Sequence, residues 1–230
     1  MKKKDFYKER AKHLDSQLTI LYDRVKLLED ELESLPDEFY RTCIFGSARL
    51  KPETDEYKEV MQLARMLAWQ GIDVLTGGGP GLMEAGNKGA ALGKEEKNNK
   101  SLSIGLPIEL HFEPEPNKHL DVKRHHRRFS SRLDDFMRLS DSVICTPGGI
   151  GTLLELFFSW QLIQVQHIQM RPIVLMDKSY WQGLMNWLED TVLTRGLASE
   201  KDFNFIHLVD TPQDAFEIIS NHYKTEVEKN

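Results

Sequence analysis

The pattern of apolar residues changes near residue 36. Residues 5–35 carry an apolar side chain at alternating spacings of four and three, at Tyr7, Ala11, Leu14, Leu18, Leu21, Val25, Leu28, Leu32 and Leu35. Charged residues fill the other faces, so this heptad spacing predicts one long helix with a narrow apolar seam, ended by Pro36. The seam suits either packing within the protein or pairing with another subunit. We therefore treat residues 1–36 as an N-terminal helix for oligomerisation or packing.

Residues 37–230 instead alternate short apolar runs with helical patterns. Strands are predicted at residues 40–45, 72–76, 101–106, 142–146, 173–176 and 205–209. Helices are predicted at residues 55–70, 82–92, 124–139, 150–166, 180–195 and 212–223, with the polar run 93–100 as a surface loop. Strands that alternate with helices in this way predict an α/β fold, here one doubly wound domain with a mainly parallel sheet flanked by helices.

Composition and charge exclude several classes of protein. The chain of 230 residues is 40% hydrophobic and carries a net charge of −6, which disfavours general disorder and a nucleic-acid coat. The N-terminus has no signal-peptide pattern, and no apolar run is long enough for a membrane span. We expect a cytoplasmic protein that binds neither nucleic acid nor membrane. Cys43 and Cys145 lie in apolar runs, which predicts buried free thiols.

Three predicted strands end in turns of small residues that lead into helices. These turns are Gly46-Ser47, Gly77–Gly81 and Pro147–Gly151. In parallel sheets, ligands bind beyond the carboxyl ends of strands, and a helix N-terminus attracts anions. The three turns together predict a phosphate or nucleotide site. They match neither the Walker A motif nor G-x-G-x-x-G, so ATP hydrolysis and hydride transfer lose support.

The segment PGGIGTLLE, residues 147–155, carries the most specific pattern. A helix that begins near Gly149 would point the amides of Gly149, Gly151 and Thr152 out of its end. Glu155 lies three residues after Thr152 and therefore shares its helix face. Glu155 either faces a bound ligand or only complements the helix dipole, and the spacing leaves both open.

These motifs resemble those of the LOG family, the "Lonely guy" proteins that are often mislabelled lysine decarboxylases. PGGIGTLLE resembles the family signature PGGxGTxxE, and GGGPGLMEAGNKGA, residues 77–90, resembles its first glycine motif. SIGLPIEL, residues 103–110, resembles the longer branch of the family, and the similarity spans about residues 40–225. The resemblance implies a Rossmann-like homo-oligomer that cleaves nucleoside 5′-monophosphates into free base and ribose 5-phosphate. The implied substrates are AMP and cytokinin riboside monophosphates, and the implied role is cytokinin activation.

The resemblance also implies roles for individual residues. Glu155 and Arg132 correspond to the catalytic carboxylate and arginine, although Leu133 replaces the usual lysine, and Arg124, Arg127 and Arg128 are nearby alternatives. The run KRHHRRFSSR, residues 123–132, could also be only a solvated helical face. The residues expected to hold the nucleotide and its phosphate are Gly78, Gly79, Gly148, Gly149, Gly151 and Thr152.

Two further residues have open roles. Glu84 either contacts the nucleotide or complements a helix dipole, and Ser47 either donates to the ligand or caps a helix. No metal or cofactor is expected for this reaction. A nucleotide or molybdenum-cofactor carrier of the same fold is the alternative function, although such a carrier would not need Glu155. Lysine decarboxylation is rejected, because no lysine lies at a glycine-rich strand end.

Overall fold

A computed structural model describes residues 3–32, 39–109 and 115–228. The chain divides into two compact units, residues 1–38 and residues 39–230. The first contains α1 (Lys3–Leu32), which confirms the predicted N-terminal helix. The last seam residue, Leu35, and the predicted helix stop, Pro36, lie outside the described residues. Among the helices described, none is long and apolar enough to cross a membrane.

The second unit is built on a seven-stranded parallel sheet. Its strands are β1 (Arg41–Phe45), β2 (Asp73–Thr76), β3 (Ser103–Gly105), β4 (Val122–Lys123), β5 (Ser142–Cys145), β6 (Ile173–Met176) and β7 (Ile206–Val209). They lie in the order β4-β3-β2-β1-β5-β6-β7, and every neighbouring pair is parallel. All six predicted strands are present. The edge strand β4 was not predicted, because two residues are too few to show a hydrophobic period.

Helices cover both faces of this sheet. They are α2 (Asp55–Trp69), α3 (Leu82–Lys97), α4 (Phe129–Leu139), α5 (Ile150–Gln164), α6 (Lys178–Trp187) and α7 (Pro212–Val227), with a π-helical segment at Leu188–Leu193 and a 3₁₀ turn at Glu200–Phe203. On one face, α2, α3 and α7 pack over sheet residues such as Ile44 and Val174. On the other, Phe136 of α4 lies against Phe45 with ring centroids 4.9 Å apart. This arrangement confirms the doubly wound α/β fold.

The predicted loop at residues 93–100 is partly wrong, because α3 continues to Lys97. Gly89 and Gly93 face α2 so closely that a Cβ on either would collide with the carbonyl groups of Met61 or Arg65. These glycines therefore allow two helix backbones to approach each other. In the sequence, Gly93 and the charged residues after it look like the start of a loop.

The predicted helix at residues 124–139 begins only at Phe129. Residues 124–128 are extended, since His126 N donates to Pro107 O (2.9 Å) and Glu109 N donates to His126 O (2.8 Å). Arg124 and His126 are buried, and His126 Nε2 lies 3.4 Å from Asp135. The interpretation of this basic run as a solvated helical face is therefore wrong.

The strand order places a switch point between β1 and β5. From β1 the chain adds β2, β3 and β4 on one side, and then returns to add β5 on the other side of β1. Phe45 and Cys145 are partners in register at the carboxyl ends of these two strands. Turns that follow β1 and β5 therefore open into the crevice where ligands bind in doubly wound folds. Cys43 and Cys145 are buried free thiols, as predicted.

Candidate functional site

The main chain of Ser47 joins the three small-residue turns. Ser47 N donates to Pro147 O (3.0 Å), and Leu82 N donates to Ser47 O (2.9 Å). The turns after β1, β2 and β5 therefore meet at one rim, as the sequence predicts. The side chain of Ser47 accepts from Arg49 N (3.1 Å), whereas Thr54 caps the following helix. The alternative role of Ser47 as a helix cap is therefore wrong.

Two buried side chains form hydrogen bonds with the turn Gly77–Gly81. Gly78 and Gly81 have φ of 74° and 69°, where a residue with a Cβ would be strained. Gly78 N donates to Thr76 Oγ1 (2.9 Å), and Asn117 Nδ2 donates to the carbonyl oxygens of Gly78 and Gly79 (both 3.1 Å). Asn117 lies between β3 and β4, outside every predicted strand and helix, and nothing in its local sequence pattern identifies this role.

The turn after β5 presents an open helix N-terminus. Gly149 is the N-cap of α5, and no described side chain caps this end. Gly149 and Gly151 are exposed, and a Cβ on either would meet no atom within 4 Å. Thr152 is buried and packs against Gly148, whose carbonyl oxygen accepts from Tyr180 OH. The exposed amides of this turn are therefore accessible to an anion, while the side chain of Thr152 supports the turn.

Arg132 is buried at the same rim. Its Nε donates to Leu106 O (2.8 Å) and its Nη2 to Gly77 O (3.5 Å), at the carboxyl ends of β3 and β2. The guanidinium also lies 5.3 Å from the ring centroid of Phe136. Both acceptors are neutral carbonyl groups, so these bonds orient the guanidinium without neutralising its charge.

A cavity of about 260 Å³ opens beside Arg132. Its lining combines the first glycine turn with residues before α4: Gly77, Gly78, Gly79, Pro80, Met83, Pro107, Ile108, Glu109, Glu115, Pro116, His125 and Arg132. Residues 110–114, between Glu109 and Glu115, lie outside the described part of the chain. Sequence reasoning identified Gly78, Gly79 and Arg132 but missed Met83, Glu109, Glu115 and His125. The turn after β5, Ser47, Glu84 and Glu155 do not belong to the described lining.

Glu155 lies in the second turn of α5 and interacts electrostatically with Arg132. Burial raises the pKa of Glu155 from 4.5 to about 7, although the nearby charge of Arg132 lowers it. Burial also raises the pKa of Cys43 and Cys145, and the charge of Glu155 adds to both shifts. The charge of Glu155 therefore acts on thiols of both β1 and β5.

Glu84 belongs to a different part of the rim. It lies in the first turn of α3, where a carboxylate complements the helix dipole. Burial raises the pKa of Tyr57, and the charge of Glu84 raises it further. Burial lowers the pKa of His119, and Glu84 partly opposes that shift. The charge of Glu84 therefore raises the pKa of both Tyr57 and His119.

The fold and the joined turns define a doubly wound α/β protein with its candidate site at the switch point. A family model described as "Possible lysine decarboxylase" matches residues 83–219, and the chain belongs to this family. The recognition of the LOG family from its motifs is confirmed by relatives that carry LOG-type names.

Relatives with assigned activities are similar at low identity. The chain is 32% identical over 126 residues to the pyrimidine/purine nucleotide 5′-monophosphate nucleosidase of Escherichia coli K12, over 53% of this chain and 28% of that protein. It is 28% identical to "Probable cytokinin riboside 5′-monophosphate phosphoribohydrolase LOGL3" of Oryza sativa subsp. japonica, over 67% of this chain and 71% of that protein. This chain thus spans under a third of the length of the bacterial relative.

Solved structures of similar fold include molybdenum-cofactor proteins. The molybdenum cofactor binding protein of Rippkaea orientalis has a TM-score of 0.59 and 22% identity, over 80% of this chain and 98% of that one. The molybdenum cofactor carrier protein of Chlamydomonas reinhardtii has a TM-score of 0.57 and 16% identity, over 81% and 99% of the two chains. At these identities the likeness establishes the shared fold.

Proposed function

We propose that this protein hydrolyses the N-glycosidic bond of nucleoside 5′-monophosphates to a free base and ribose 5-phosphate. AMP and cytokinin riboside 5′-monophosphates are the proposed substrates. The observation that carries the proposal is the electrostatic interaction between a fixed cation, Arg132, and a carboxyl group, Glu155, whose pKa burial raises to about 7. Relatives named as monophosphate nucleosidases and phosphoribohydrolases support the same reaction.

The 5′-phosphate would bind at the N-terminus of α5. The amides of Gly149 and Gly151 are accessible there, and the helix dipole favours an anion. Gly79, in the adjoining turn, would complete this pocket. The amide of Gly78 already donates to Thr76, so Gly78 would shape the turn through its positive φ. Gly148 and Thr152 would hold the turn after β5 in place. An anchored phosphate positions the ribose for reaction, so a free nucleoside should be a poor substrate.

Glu155 would act on the ribose and the attacking water. Breaking the bond between C1′ and the base leaves the bonding electrons on the base nitrogen and positive charge on the ribose. The ionised carboxylate stabilises that charge and accepts a proton from water, whose oxygen forms the new bond to C1′. The base takes up a proton as it leaves, so the net reaction consumes one water molecule. A pKa of about 7 suits a general base that works near neutral pH.

Arg132 would bind the phosphate or the ribose hydroxyl groups. A guanidinium stays protonated at any physiological pH, and here two carbonyl oxygens fix its orientation. The cavity beside Arg132 would then accept part of the nucleotide. Among its described lining residues there is no lysine, which does not favour a pyridoxal-dependent decarboxylase.

Chromatography of reaction products tests the proposal directly. Purified protein is incubated with AMP, other monophosphates, isopentenyladenosine monophosphate and adenosine, alongside Glu155→Gln. The matched control is Glu217→Gln, on the outer helix α7. We expect free base from monophosphates, none from adenosine, and loss of activity only in Glu155→Gln. AMP binding without release of base from any nucleotide would instead indicate a carrier.

A further inference from the structure

The apolar seam of α1 is exposed along the part of the helix whose side chains are described. Leu14, Leu18, Leu21 and Val25 are 51%, 66%, 65% and 47% exposed. They lie at spacings of four, three and four, so they form one stripe along a helix of 30 residues. A stripe of this width is typical of a helix that packs against another helix. Most of the stability of helices in proteins comes from packing of their apolar face, which favours a bound partner for this one.

The residues at the seam fit a two-stranded coiled coil. In heptad terms, Leu14 and Leu21 occupy d positions, and Leu18 and Val25 occupy a positions. Leu at the d positions together with the β-branched Val25 at one a position favours two strands, whereas Leu18 at the other a position adds nothing to this preference. The same sequence pattern continues past the described side chains, with Leu at position 28, another d position.

The charges that flank the seam are complementary to a second copy of the same helix. Arg10, at a g position, and Asp15, at an e position, are both exposed. In a parallel pair, Arg10 of one helix lies across from Asp15 of the other, because g faces e of the following heptad. In the antiparallel register with Leu18 opposite Leu21, the heptad positions place Arg10 opposite Glu31. Arg10 thus meets an acidic position in either direction.

We propose that α1 pairs with α1 of a second copy of this chain in a two-stranded coiled coil. The seam lies before residues 40–225, to which the LOG resemblance applies, so the resemblance does not account for it. Burial of the exposed leucines stabilises the pair, and the flanking charges favour a second copy of the same helix as its partner.

Cysteine cross-linking of the full chain tests this pairing. Cys43 and Cys145 are fully buried, so a single introduced cysteine dominates the reaction under mild oxidation. Leu21→Cys alone should form a covalent dimer if the helices are parallel. A mixture of Leu18→Cys and Leu21→Cys chains should form one if they are antiparallel. Ile20→Cys is the matched control, because Ile20 is 63% exposed and lies off the seam.

A second substitution shows whether the seam is responsible. Val25→Glu, added to the cysteine variants, should reduce the yield of covalent dimer at least tenfold, whereas Ile20→Glu should leave it unchanged. The proposal is overturned if neither cysteine combination cross-links above the Ile20→Cys control. It is also overturned if Val25→Glu has no effect, because the dimer would then form through another surface.

Discussion

The carbonyl oxygen of Gly77 accepts a hydrogen bond from Arg132 Nη2 at 3.5 Å, across 55 positions of the chain. A Cβ on Gly77 would occupy the place of that guanidinium nitrogen and press on the sulfur of Met83. Gly77 therefore leaves the space that Arg132 needs. The first glycine turn acts on the candidate site through the arginine as well as through its own backbone.

Gly77→Ala should lower kcat/KM for AMP about 10- to 100-fold. The new methyl group would push the Arg132 guanidinium out of its position, and a small displacement of a positioning group is enough for a loss of this size. The colliding atoms belong to flexible side chains, so the loss in the free energy of unfolding should stay near 1–3 kcal/mol. Gly183→Ala is the control, since a Cβ there meets no atom within 4 Å. Unchanged kinetics in Gly77→Ala would show that the position of Arg132 does not affect the reaction.

Gly151→Ala should weaken phosphate binding without harming the fold. The added methyl group points into the open space where the phosphate is proposed to bind, so it obstructs the anion. It contacts no protein atom, and alanine is the better helix former by about 1 kcal/mol, so the fold is not destabilised. We expect KM for AMP to rise about tenfold, and inhibition by inorganic phosphate to weaken by the same factor. Steady-state kinetics and denaturant titration measure the two effects. If KM rises but phosphate inhibition does not change, the phosphate binds elsewhere.

Glu155→Gln should stabilise the protein above neutral pH while it abolishes activity. Burial raises the pKa of Glu155 from 4.5 to about 7, so between these values the folded protein keeps a proton that the unfolded chain releases. The free energy of unfolding therefore falls as pH rises through this window. Glutamine does not titrate, so the variant avoids this loss of stability. For the pKa shift of Glu155 the loss amounts to roughly 3 kcal/mol.

Urea unfolding of both proteins at pH 4 and pH 8 measures this difference. The advantage of the glutamine variant should be larger at pH 8. An equal difference at the two pH values would show that the carboxyl group is well solvated, and would remove the argument for a neutral-pH base.

Arg132→Gln should raise the pKa of Glu155 above about 7, because the charge of Arg132 lowers that pKa in the folded protein. The pH at which the loss of stability caused by Glu155 levels off should then move upward. The comparison is between Arg132→Gln and the double variant Arg132→Gln/Glu155→Gln, each unfolded across a pH series. A downward shift would mean that the two side chains do not interact as the structure indicates.

Asn117→Ala should loosen the first glycine turn. It removes the side-chain hydrogen bonds to the carbonyl oxygens of Gly78 and Gly79 and to Asn87 Oδ1. Gly78 O keeps its bond from Asn117 N and Asn87 Oδ1 keeps its bond from Thr76 Oγ1, so the loss of the side-chain bonds should cost about 1–3 kcal/mol of stability. Hydrogen exchange at Gly78 and Gly79 should speed up more than exchange in β6. Uniform changes across the sheet would indicate a general loss of stability instead.

The sequence predicts the framework of the candidate site well, because its signals are local. Glycine-rich turns after apolar runs give the three turns near residues 46, 77 and 147, and the structure joins them at Ser47. The helix start near Gly149 follows from the same pattern. The position of Glu155 on the first turns of that helix needs no tertiary information.

The features that the sequence did not predict depend on contacts between distant segments. Residues 124–128 are extended because His126 pairs with the backbone near Ile108, and no local pattern encodes that partner. Asn117 looks like an ordinary loop residue until Gly78 and Gly79 are placed beside it. Gly93 resembles a loop signal, whereas its function is close contact with Arg65 of α2.

The bond from Ser47 N to Pro147 O also has a consequence for synthesis of the chain. The two residues are a hundred positions apart, so the rim at the switch point cannot exist on a shorter nascent chain. While the ribosome translates the chain between β1 and β5, the turn after β1 is present without its partner. Closure of the rim is thus a late, long-range event in folding, and truncated chains that end before β5 should lack the candidate site.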